Sequence, residues 1–353
     1  MSSGQACERC KGGHFLNVIC EGCYSGGLAA SAVLAAEAYV HNWLSTYQRC
    51  VGRILAPSKF VKQKLGEDGW AYARIQVLPH FQTLPLTQAP YPGQEAPILY
   101  FGRLSTEKGL ADLLGAMRQL SQIRLVIAVD GPQRSELEIT AQKYGLGNVR
   151  FAGYVSGPAL QKLIAESQFT IFPSHADETL GKSILESYAQ ARAVVASDLG
   201  SRRELVEEGK TGLLYPAGDV NQLAAAIKFL YERPELSRQM GKAGSDFVRE
   251  QHSQAQHLLA LERLYEQLRV KPALIGKRPK PPAPLRIAYI GGRGGIGKYS
   301  GIETYYEQTG KRLARTGHEI TAYCRSYFTP EIAEHEVSAS CAWQRSARST
   351  WRL

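Results

Sequence analysis

The sequence lacks any run of eighteen or more uncharged apolar residues, the minimum for a membrane-spanning helix. Its richest apolar segment, GLAASAVLAAEAYV, is too short to span a bilayer and contains Glu37. The chain also opens without the basic and apolar regions of a secretory signal peptide. With 44% hydrophobic and 21% charged residues, its composition is typical of a soluble globular protein. These features predict a cytoplasmic location and leave peripheral contact with the inner membrane face open.

Excess positive charge is scarce over most of the chain, although the net charge is +10. From Lys271 to Leu353, fourteen Lys and Arg stand against six Glu, so the basic character belongs to the C-terminal segment. A nucleic-acid interface would need a basic patch on a folded surface with interleaved aromatic residues. We therefore expect no nucleic-acid partner. A basic segment of this kind indicates a solvated tail or weak attraction to anionic lipid.

Cysteine is sparse, with seven in the chain, but four lie close together near the N-terminus. They follow the pattern C-x2-C-x9-C-x2-C and are Cys7, Cys10, Cys20 and Cys23. Two C-x2-C turns can supply four thiolates to one tetrahedral zinc ion. In a cytosolic chain, zinc is favoured over disulfide bonds. Two interpretations stay open: a structural zinc site, or four reduced thiols that bind no metal.

Alternating strand and helix patterns predict an α/β fold. Between 96 and 250, apolar runs such as ILYFG, FTIF and AVVAS alternate with amphipathic segments. This pattern predicts a Rossmann-like, doubly wound parallel sheet with helices on both faces. The turns GRLSTEKG, DGP, PSHADETLG and SDLGSRRE all follow predicted strands. Since such sheets bind ligands beyond the carboxyl ends of their strands, we expect these turns to form one binding rim.

Two groups of charged residues on that rim point to a ligand with phosphates and hydroxyls. Arg103 and Lys108 follow a strand and precede a helix, where side-chain cations and backbone N–H groups can bind a diphosphate. Glu178 and Glu186 lie eight positions apart, the first in a loop and the second in the following helix. An ionised carboxylate only accepts hydrogen bonds, so it suits the hydroxyls of a sugar ring or a ribose.

The ordered segments ILYFGRLSTEKG, VDGP, FAGYVS, FTIFPSHADETLGKSILESYA and VVASDLGSRRELVEEGKTGLLYPAGD resemble glycosyltransferase family 4. Members of this family are retaining nucleotide-sugar transferases of the GT-B fold. The resemblance implies that Glu178 is the catalytic residue beside the donor sugar. The implied donor-binding residues are Gly102, Arg103, Lys108, Gly181 and Glu186, of which Glu186 takes the ribose.

Two further features qualify the resemblance. No D-x-D triplet occurs in the sequence, so we expect no metal cofactor for catalysis. Arginine, lysine and helix-dipole charge would instead stabilise the departing nucleoside diphosphate. Ala191 stands where the family commonly has glycine. This substitution affects loop shape rather than charge.

A second glycine-rich loop, RIAYIGGRGGIGKYSG, follows a basic, Pro-rich segment near the C-terminus. Gly292, Gly294 and Gly297 fit a phosphate loop. An NTPase loop needs Ser or Thr after its lysine, and Tyr299 stands there. A dinucleotide site needs an acidic residue after the second strand, where Arg325 stands. The segment instead resembles the first strand, loop and helix of a family 4 N-terminal domain.

The resemblance therefore implies that the C-terminal part of one transferase is followed by the N-terminal part of another. Through CERCKGG, LAPSKFVKQKL and IQVLPHF, residues 1–95 resemble the later half of the family's N-terminal, acceptor-side domain. The resemblance implies that a nucleotide-sugar-binding domain (96–250) follows. The further segments are a helix (251–270), a basic linker (271–285), the start of a second N-terminal domain (286–335) and a tail expected to be disordered (336–353). Either two transferase genes have been joined and truncated, or the last segments dock on the first and replace its missing strands. The aperiodic ending favours the first explanation.

The sequence thus predicts a retaining transferase that uses a UDP- or GDP-sugar and acts in polysaccharide biosynthesis. The expected acceptor is a saccharide or a lipid-linked saccharide. Two alternatives are a fragment that binds the donor without transferring sugar, and an NAD(P)-dependent oxidoreductase that uses the second glycine-rich loop.

Overall fold

The structure is a computed structural model of the 353-residue chain, which divides into two compact units, Met1–Gln254 and Ala255–Leu353. The described residues are 7–24, 27–82, 86, 90–268, 285–289, 301–325, 335–338 and 341–346. No described helix has the length and apolar character required to cross a bilayer.

The first unit begins with a small α/β segment. Its elements are α1 (Asn17–Cys20), α2 (Gly27–Trp43), α3 (Thr46–Cys50), β1 (Ile54–Ala56), α4 (Lys59–Glu67) and β2 (Ile75–Val77). Strands β1 and β2 pair in parallel, with Ile54 opposite Ile75. The Ala-rich helix α2 does not continue to Cys50, because the chain breaks at Ser45, whose φ is +50°. A left-handed residue cannot continue a right-handed helix, so α3 starts anew.

The remainder of this unit is a six-stranded parallel sheet with helices between its strands. The elements are β3 (Ile98–Tyr100), α5 (Leu110–Met117), β4 (Leu125–Ile127), α6 (Arg134–Lys143), β5 (Val149–Phe151), α7 (Gly157–Ala165), β6 (Phe169–Phe172), α8 (Lys182–Ala189), β7 (Ala193–Ser197), α9 (Arg202–Leu205), β8 (Gly212–Tyr215), α10 (Val220–Tyr231) and α11 (Pro234–Gln251). The strand order is β5-β4-β3-β6-β7-β8. This arrangement confirms the predicted α/β, doubly wound fold.

Both faces of this sheet are buried, because its strands are apolar at consecutive positions. Ile98 and Tyr100 belong to one hydrophobic cluster, and Leu99 and Phe101 belong to another. Alternate side chains of a strand point to opposite faces, so the two clusters lie on opposite sides of the sheet. Each fully buried apolar side chain of this size contributes about 1.5–3 kcal/mol to folding.

The strand order creates a switch point at the centre of the sheet. The chain runs from β3 outward through β4 to β5, and then returns to β6 and continues outward to β8. Strands β3 and β6 are direct neighbours, with Leu99 opposite Thr170. Loops that leave two such neighbours diverge, and the crevice between them is the usual ligand site of this architecture.

The small α/β segment is fixed to the sheet next to this crevice. Glu204 of α9 accepts hydrogen bonds from the backbone N–H groups of Lys59 at 2.8 Å and Phe60 at 2.6 Å. These donors begin α4, where N–H groups lack helical partners and where a negative charge is favoured. Ser58 Oγ also donates to the carbonyl of Thr179 at 2.7 Å. Since Thr179 follows Glu178, the contact supports the loop that carries the predicted catalytic residue.

The second unit contains α12 (Gln254–Leu268, starting one residue earlier), β9 (Arg286–Tyr289), α13 (Gly301–Arg315), β10 (Glu319–Arg325), β11 (His335–Ser338) and β12 (Cys341–Ser346). Its sheet has the order β11-β12-β10-β9. Strand β10 pairs in parallel with β9, as expected for the start of an α/β domain. Gly317, with φ of +96°, lies two residues after the end of α13.

The second unit departs from the prediction at the C-terminal tail. The structure has strands β11 and β12 within and next to the segment 336–353, which the sequence predicted to be disordered. The pattern of CAWQRS is aperiodic, but backbone hydrogen bonds to β10 on one side and β11 on the other hold β12 in place. Such pairing requires no hydrophobic alternation. The loop of Gly292, Gly294 and Gly297 and nearly all of the linker 271–285 lie outside the described residues.

Ala191, which joins α8 to β7, generates a test of the backbone conformation. Its φ is +52°, in the left-handed region that costs an L-residue about 1–2 kcal/mol. Glycine is free of that cost, although it loses more chain entropy on folding. We therefore expect Ala191→Gly to stabilise the first unit by about 0.5–1 kcal/mol, measured by calorimetric unfolding. Ala225→Gly, at an exposed position inside α10, is the control and should destabilise by about 1 kcal/mol. Destabilisation by both variants would refute the strain at Ala191.

Candidate functional site

A cavity lies at the switch point, beyond the carboxyl ends of β3 and β6. Its lining combines the loop after β3, the loop after β6, the start of α8 and the start of α9. The polar and glycine residues that face it are Gly102, Lys108, Ser174, Glu178, Gly181, Ser183 and Arg202. Four of the predicted site residues, Gly102, Lys108, Glu178 and Gly181, therefore meet at one cavity.

An ion pair crosses this cavity. Lys108 Nζ lies 2.7 Å from Glu178 Oε1, and the two side chains are 27% and 28% exposed. Partial burial strengthens the Coulombic attraction between the two charges, and the loss of hydration offsets part of that gain. A positive and a negative group that are seventy residues apart in sequence thus share one site.

Gly109 explains how the two loops come so close. Its φ is +68°, and a Cβ atom at this position would stand 1.9 Å from the carbonyl oxygen of Pro173. Only glycine therefore fits between Lys108 and α5. The contact is reinforced by two hydrogen bonds to the carbonyl of Glu107, from the backbone N–H of His175 at 2.8 Å and from Ser174 Oγ at 2.9 Å. The β3 and β6 loops are thus held against each other.

Tyr100, the last residue of β3, stabilises the loop that follows this strand. This buried side chain donates a hydrogen bond to the carbonyl of Arg103 at 3.1 Å. Burial, together with the charges of Glu178 and Glu107, raises the pKa of Tyr100 far above its ordinary value, so the hydroxyl remains a neutral donor. Gly102, with φ of +149°, adopts a conformation that side chains rarely allow. The Arg103 side chain is exposed and is not among the residues that line the cavity.

The N-terminus of α8 forms another wall of the cavity. Gly181 is its N-cap residue with φ of +91°, and no side chain caps this end. Unpaired backbone N–H groups at a helix N-terminus attract anions. A larger residue at 181 would contact Leu205 Cδ1 at 3.2 Å and approach Glu178 Oε2 at 3.8 Å. Glycine therefore keeps this end of the helix accessible to the cavity.

Glu186 lies farther along α8 and is not among the lining residues. Its side chain is 18% exposed, and Lys182 Nζ stands 3.8 Å from its Oε1 atom. Burial raises the pKa of Glu186, and the charge of Lys182 opposes that shift only in part. The prediction that Glu186 accepts hydrogen bonds from a ribose remains a prediction.

Arg202 is a charged residue of the cavity that the sequence did not single out. It begins α9, is 1% exposed and lines the cavity, with Nη1 3.8 Å from Glu178 Oε1. The neighbouring Ser201 donates through Oγ to the backbone carbonyl of Glu178 at 2.7 Å. The motif SDLGSRRE placed this turn on the rim, but the pattern gives no sign of which arginine is buried. Arg203, the next residue, is exposed and pairs with Asp198.

The four N-terminal cysteines do not form a metal-binding group in the described part of the chain, where no cluster of three or more Cys, His, Asp or Glu side chains could hold an ion. The thiols are free, and only that of Cys10 is partly buried. Burial and the neighbouring thiols of Cys23 and Cys7 raise the pKa of Cys10. The structural zinc site stays a prediction.

A doubly wound parallel sheet with a cationic, glycine-lined cavity at its switch point defines the class of ligand-binding α/β domains. Within this class, residues 87–247 match the family model described as Glycosyl transferases group 1. The match covers nearly the whole six-stranded sheet and every residue of the cavity. The narrower assignment to family 4 stays a prediction.

Curated relatives match part of the chain. The chain is 33% identical over 150 residues to an alpha-D-kanosaminyltransferase of Streptomyces kanamyceticus, in a match covering 41% of this chain and 39% of that protein. It is 29% identical over 198 residues to the lipopolysaccharide core biosynthesis glycosyltransferase LpsD of Rhizobium meliloti, with 54% and 57% coverage. The chain thus spans about two fifths of the length of the first relative.

Solved structures confirm the GT-B type of fold. A sucrose-phosphate synthase from Thermosynechococcus elongatus aligns with a TM-score of 0.55 at 26% identity, over 64% of this chain and 61% of that one. Anabaena HepE, solved in complex with UDP and glucose, aligns with a TM-score of 0.58 at 21% identity, over 65% and 67%.

The environment of Glu186 generates a prediction on stability and pH. Because its pKa is raised in the folded protein, the stability that Glu186 contributes is present at low pH and is lost as the pH rises through that pKa. Glutamine carries no charge, so we expect Glu186→Gln to raise Tm by about 2 °C at pH 8. The gain should vanish as the pH falls toward about 4. The control is Glu166→Gln, at an exposed ion pair with Lys162, which should leave Tm unchanged. A pH-independent effect at Glu186 would contradict the buried charge.

Proposed function

We propose that this chain carries the donor-binding side of a retaining glycosyltransferase that transfers a sugar from a UDP- or GDP-sugar. The observation on which the proposal rests is the Lys108–Glu178 pair at 2.7 Å, set beside the accessible N-terminus of α8. One cation, one carboxylate and a helix dipole in a single crevice match the charges of a nucleotide sugar. Phosphates need the cation and the N–H groups, whereas sugar hydroxyls need the carboxylate.

The diphosphate is proposed to lie between Gly102 and Gly181. Both glycines lack a side chain where a ligand would approach the backbone, and both adopt positive φ. The first N–H groups of α8 and the ammonium of Lys108 would neutralise the phosphate charge. Their contribution should grow during the reaction, because negative charge accumulates on the departing nucleoside diphosphate. Arg103, at the exposed edge of the same loop, would add a further cation.

Glu178 is proposed to act on the sugar. In the transfer, the bond between the anomeric carbon and the phosphate oxygen breaks, and the acceptor oxygen bonds to that carbon on the same face. The acceptor proton passes to the leaving phosphate. A carboxylate beside the ring stabilises the positive charge that develops there and accepts hydrogen bonds from ring hydroxyls. Glu186 is proposed to accept a hydrogen bond from the ribose. This role requires that the Glu186 carboxylate on α8 faces the bound nucleoside.

The relatives support a role in saccharide assembly. They include a lipopolysaccharide core biosynthesis transferase and a D-rhamnosyltransferase. HepE was solved with UDP and also with UDP-glucose. We therefore propose a saccharide or lipid-linked acceptor and a cytoplasmic location with peripheral contact at the inner membrane face. A fragment that binds the donor without transfer is the alternative.

Nucleotide binding provides the first test of the proposal. Calorimetric titration should show that UDP or GDP binds and that NADP does not. Lys108→Met should weaken the affinity for the nucleoside diphosphate by about 10–100-fold, because a shielded charge-assisted hydrogen bond is lost. Lys162→Met, at an exposed lysine that is 75% accessible, should change nothing. Binding of NADP with neither nucleoside diphosphate would replace the proposal by the oxidoreductase alternative.

Donor hydrolysis tests the role of Glu178. With a UDP- or GDP-sugar and no acceptor, we expect slow release of free sugar by the wild type and at least about 100-fold slower release by Glu178→Ala, since charge stabilisation at the sugar is lost. Nucleotide affinity should change much less. Equal rates for wild type and variant would remove Glu178 from the mechanism. Nucleotide binding without any turnover by the wild type would identify the donor-binding fragment.

A further inference from the structure

We propose that Arg202 is a positioning residue that serves as the second counter-ion of Glu178. It holds this carboxylate in the cavity when Lys108 leaves it to contact the donor diphosphate. The inference rests on the proposed function, because it assigns the exchange of partners to donor binding.

The guanidinium of Arg202 is fixed by three hydrogen bonds to backbone carbonyls. Nε donates to Ser197 at 2.8 Å, and Nη2 donates to Ser174 at 3.2 Å and Ala176 at 3.0 Å. Ser197 ends β7, and the other two lie in the loop after β6 that also carries Glu178. The three hydrogen bonds therefore fix the orientation of the planar guanidinium group relative to this loop. Its position does not depend on a ligand.

The remaining nitrogen, Nη1, lacks a hydrogen-bond partner among the described residues and is buried. A buried charged donor without a partner is costly, so such an atom in a folded protein calls for an explanation. The Oε1 atom of Glu178 stands 3.8 Å away, just beyond hydrogen-bond distance. A small shift of this carboxylate would complete the bond.

Other charged groups near Arg202 are engaged elsewhere or lack such a contact. Asp198 bonds to Arg203 through both carboxylate oxygens. Asp177 and the hydroxyl of Tyr215 contribute to the electrostatic environment of Arg202 without a hydrogen bond to its guanidinium. Burial lowers the pKa of Arg202, while the charge of Glu178 is the largest influence opposing that shift. Arginine remains a cation under all these conditions.

The two cations beside Glu178 differ in freedom of movement. Lys108 has a flexible stem, is 27% exposed and pairs through its ammonium with Glu178. Arg202 is 1% exposed and is held by three carbonyls. A donor diphosphate in the cavity would compete for Lys108 but could not draw Arg202 away. Without Arg202, Glu178 would then be a partly buried carboxylate lacking a cation, which is strongly unfavourable.

A crystal structure of Lys108→Met without ligand tests the exchange directly, because methionine mimics the departure of the ammonium while keeping a similar volume. We expect Glu178 Oε1 to move within about 3.2 Å of Arg202 Nη1. A Glu178 side chain that turns out to solvent, away from Arg202, would overturn the inference. This outcome does not depend on nucleotide binding, so a failure of the proposed function would be seen separately in the calorimetric titration.

Kinetics provide the second readout. In the donor-hydrolysis assay, we expect Arg202→Met to lower kcat by about tenfold or more. The KM for the donor should change by less than about threefold, since in this proposal Arg202 does not contact the diphosphate. Arg202→Lys, which keeps the charge, should restore part of kcat. A parallel loss of kcat and donor affinity, or an unchanged kcat, would overturn the assignment.

Arg192→Met is the matched control for the loss of a buried guanidinium. Arg192 is also 1% exposed and bonds to backbone carbonyls, including those of Ala191 at 3.1 Å and Pro90 at 3.0 Å, but it lies at the opposite end of β7. Both variants should lower Tm, and only the change at Arg202 should lower kcat. Equal losses of kcat in the two variants would mean that Arg202 acts only through stability.

Discussion

The close approach of Gly109 to the Pro173 carbonyl is the constraint on which the site depends. It brings the loop after β3 against the loop after β6, at the one place where the strand order reverses direction. Without that contact, Lys108 and Glu178 would belong to two separate surface loops. With it, they form a pair at 2.7 Å in a partly shielded cavity. The strand order of the sheet creates the crevice. Because Gly109 has no side chain, the two loops can approach closely enough to place Lys108 and Glu178 together in it.

Much of this architecture could be predicted because its signals are local. Continuous apolar runs such as ILYF, bounded by turns and alternating with amphipathic segments, are typical of a parallel sheet covered on both faces. The turns that follow parallel strands lie at one rim of the sheet. The spacing of Glu178 and Glu186 likewise placed one residue before a helix and the other within it. The predictions failed where long-range contacts decide the outcome. Strand β12 is held by pairing with β10, and no periodicity in CAWQRS reveals it.

Side-chain burial was the other property that sequence could not supply. Arg202 and Arg203 are adjacent and chemically identical, but one is enclosed by three carbonyls and the other is exposed. The choice depends on where α9 begins relative to β6 and β7, which local sequence does not encode. Similarly, Arg103 and Lys108 come from one motif, and only Lys108 faces the cavity. A sequence motif thus predicts which loop contributes to the site, whereas tertiary packing determines which side chain of that loop faces the cavity.

The proposed function requires that a nucleotide-sugar diphosphate binds between the start of α8 and Lys108. A crystal structure with a bound UDP- or GDP-sugar is the sharpest test of this binding mode. We expect pyrophosphate oxygens within hydrogen-bond distance of Lys108 Nζ and of the first N–H groups of α8, with the sugar next to Glu178. Diphosphate density at any other place, or a Glu178 carboxylate that points away from the sugar, would contradict it.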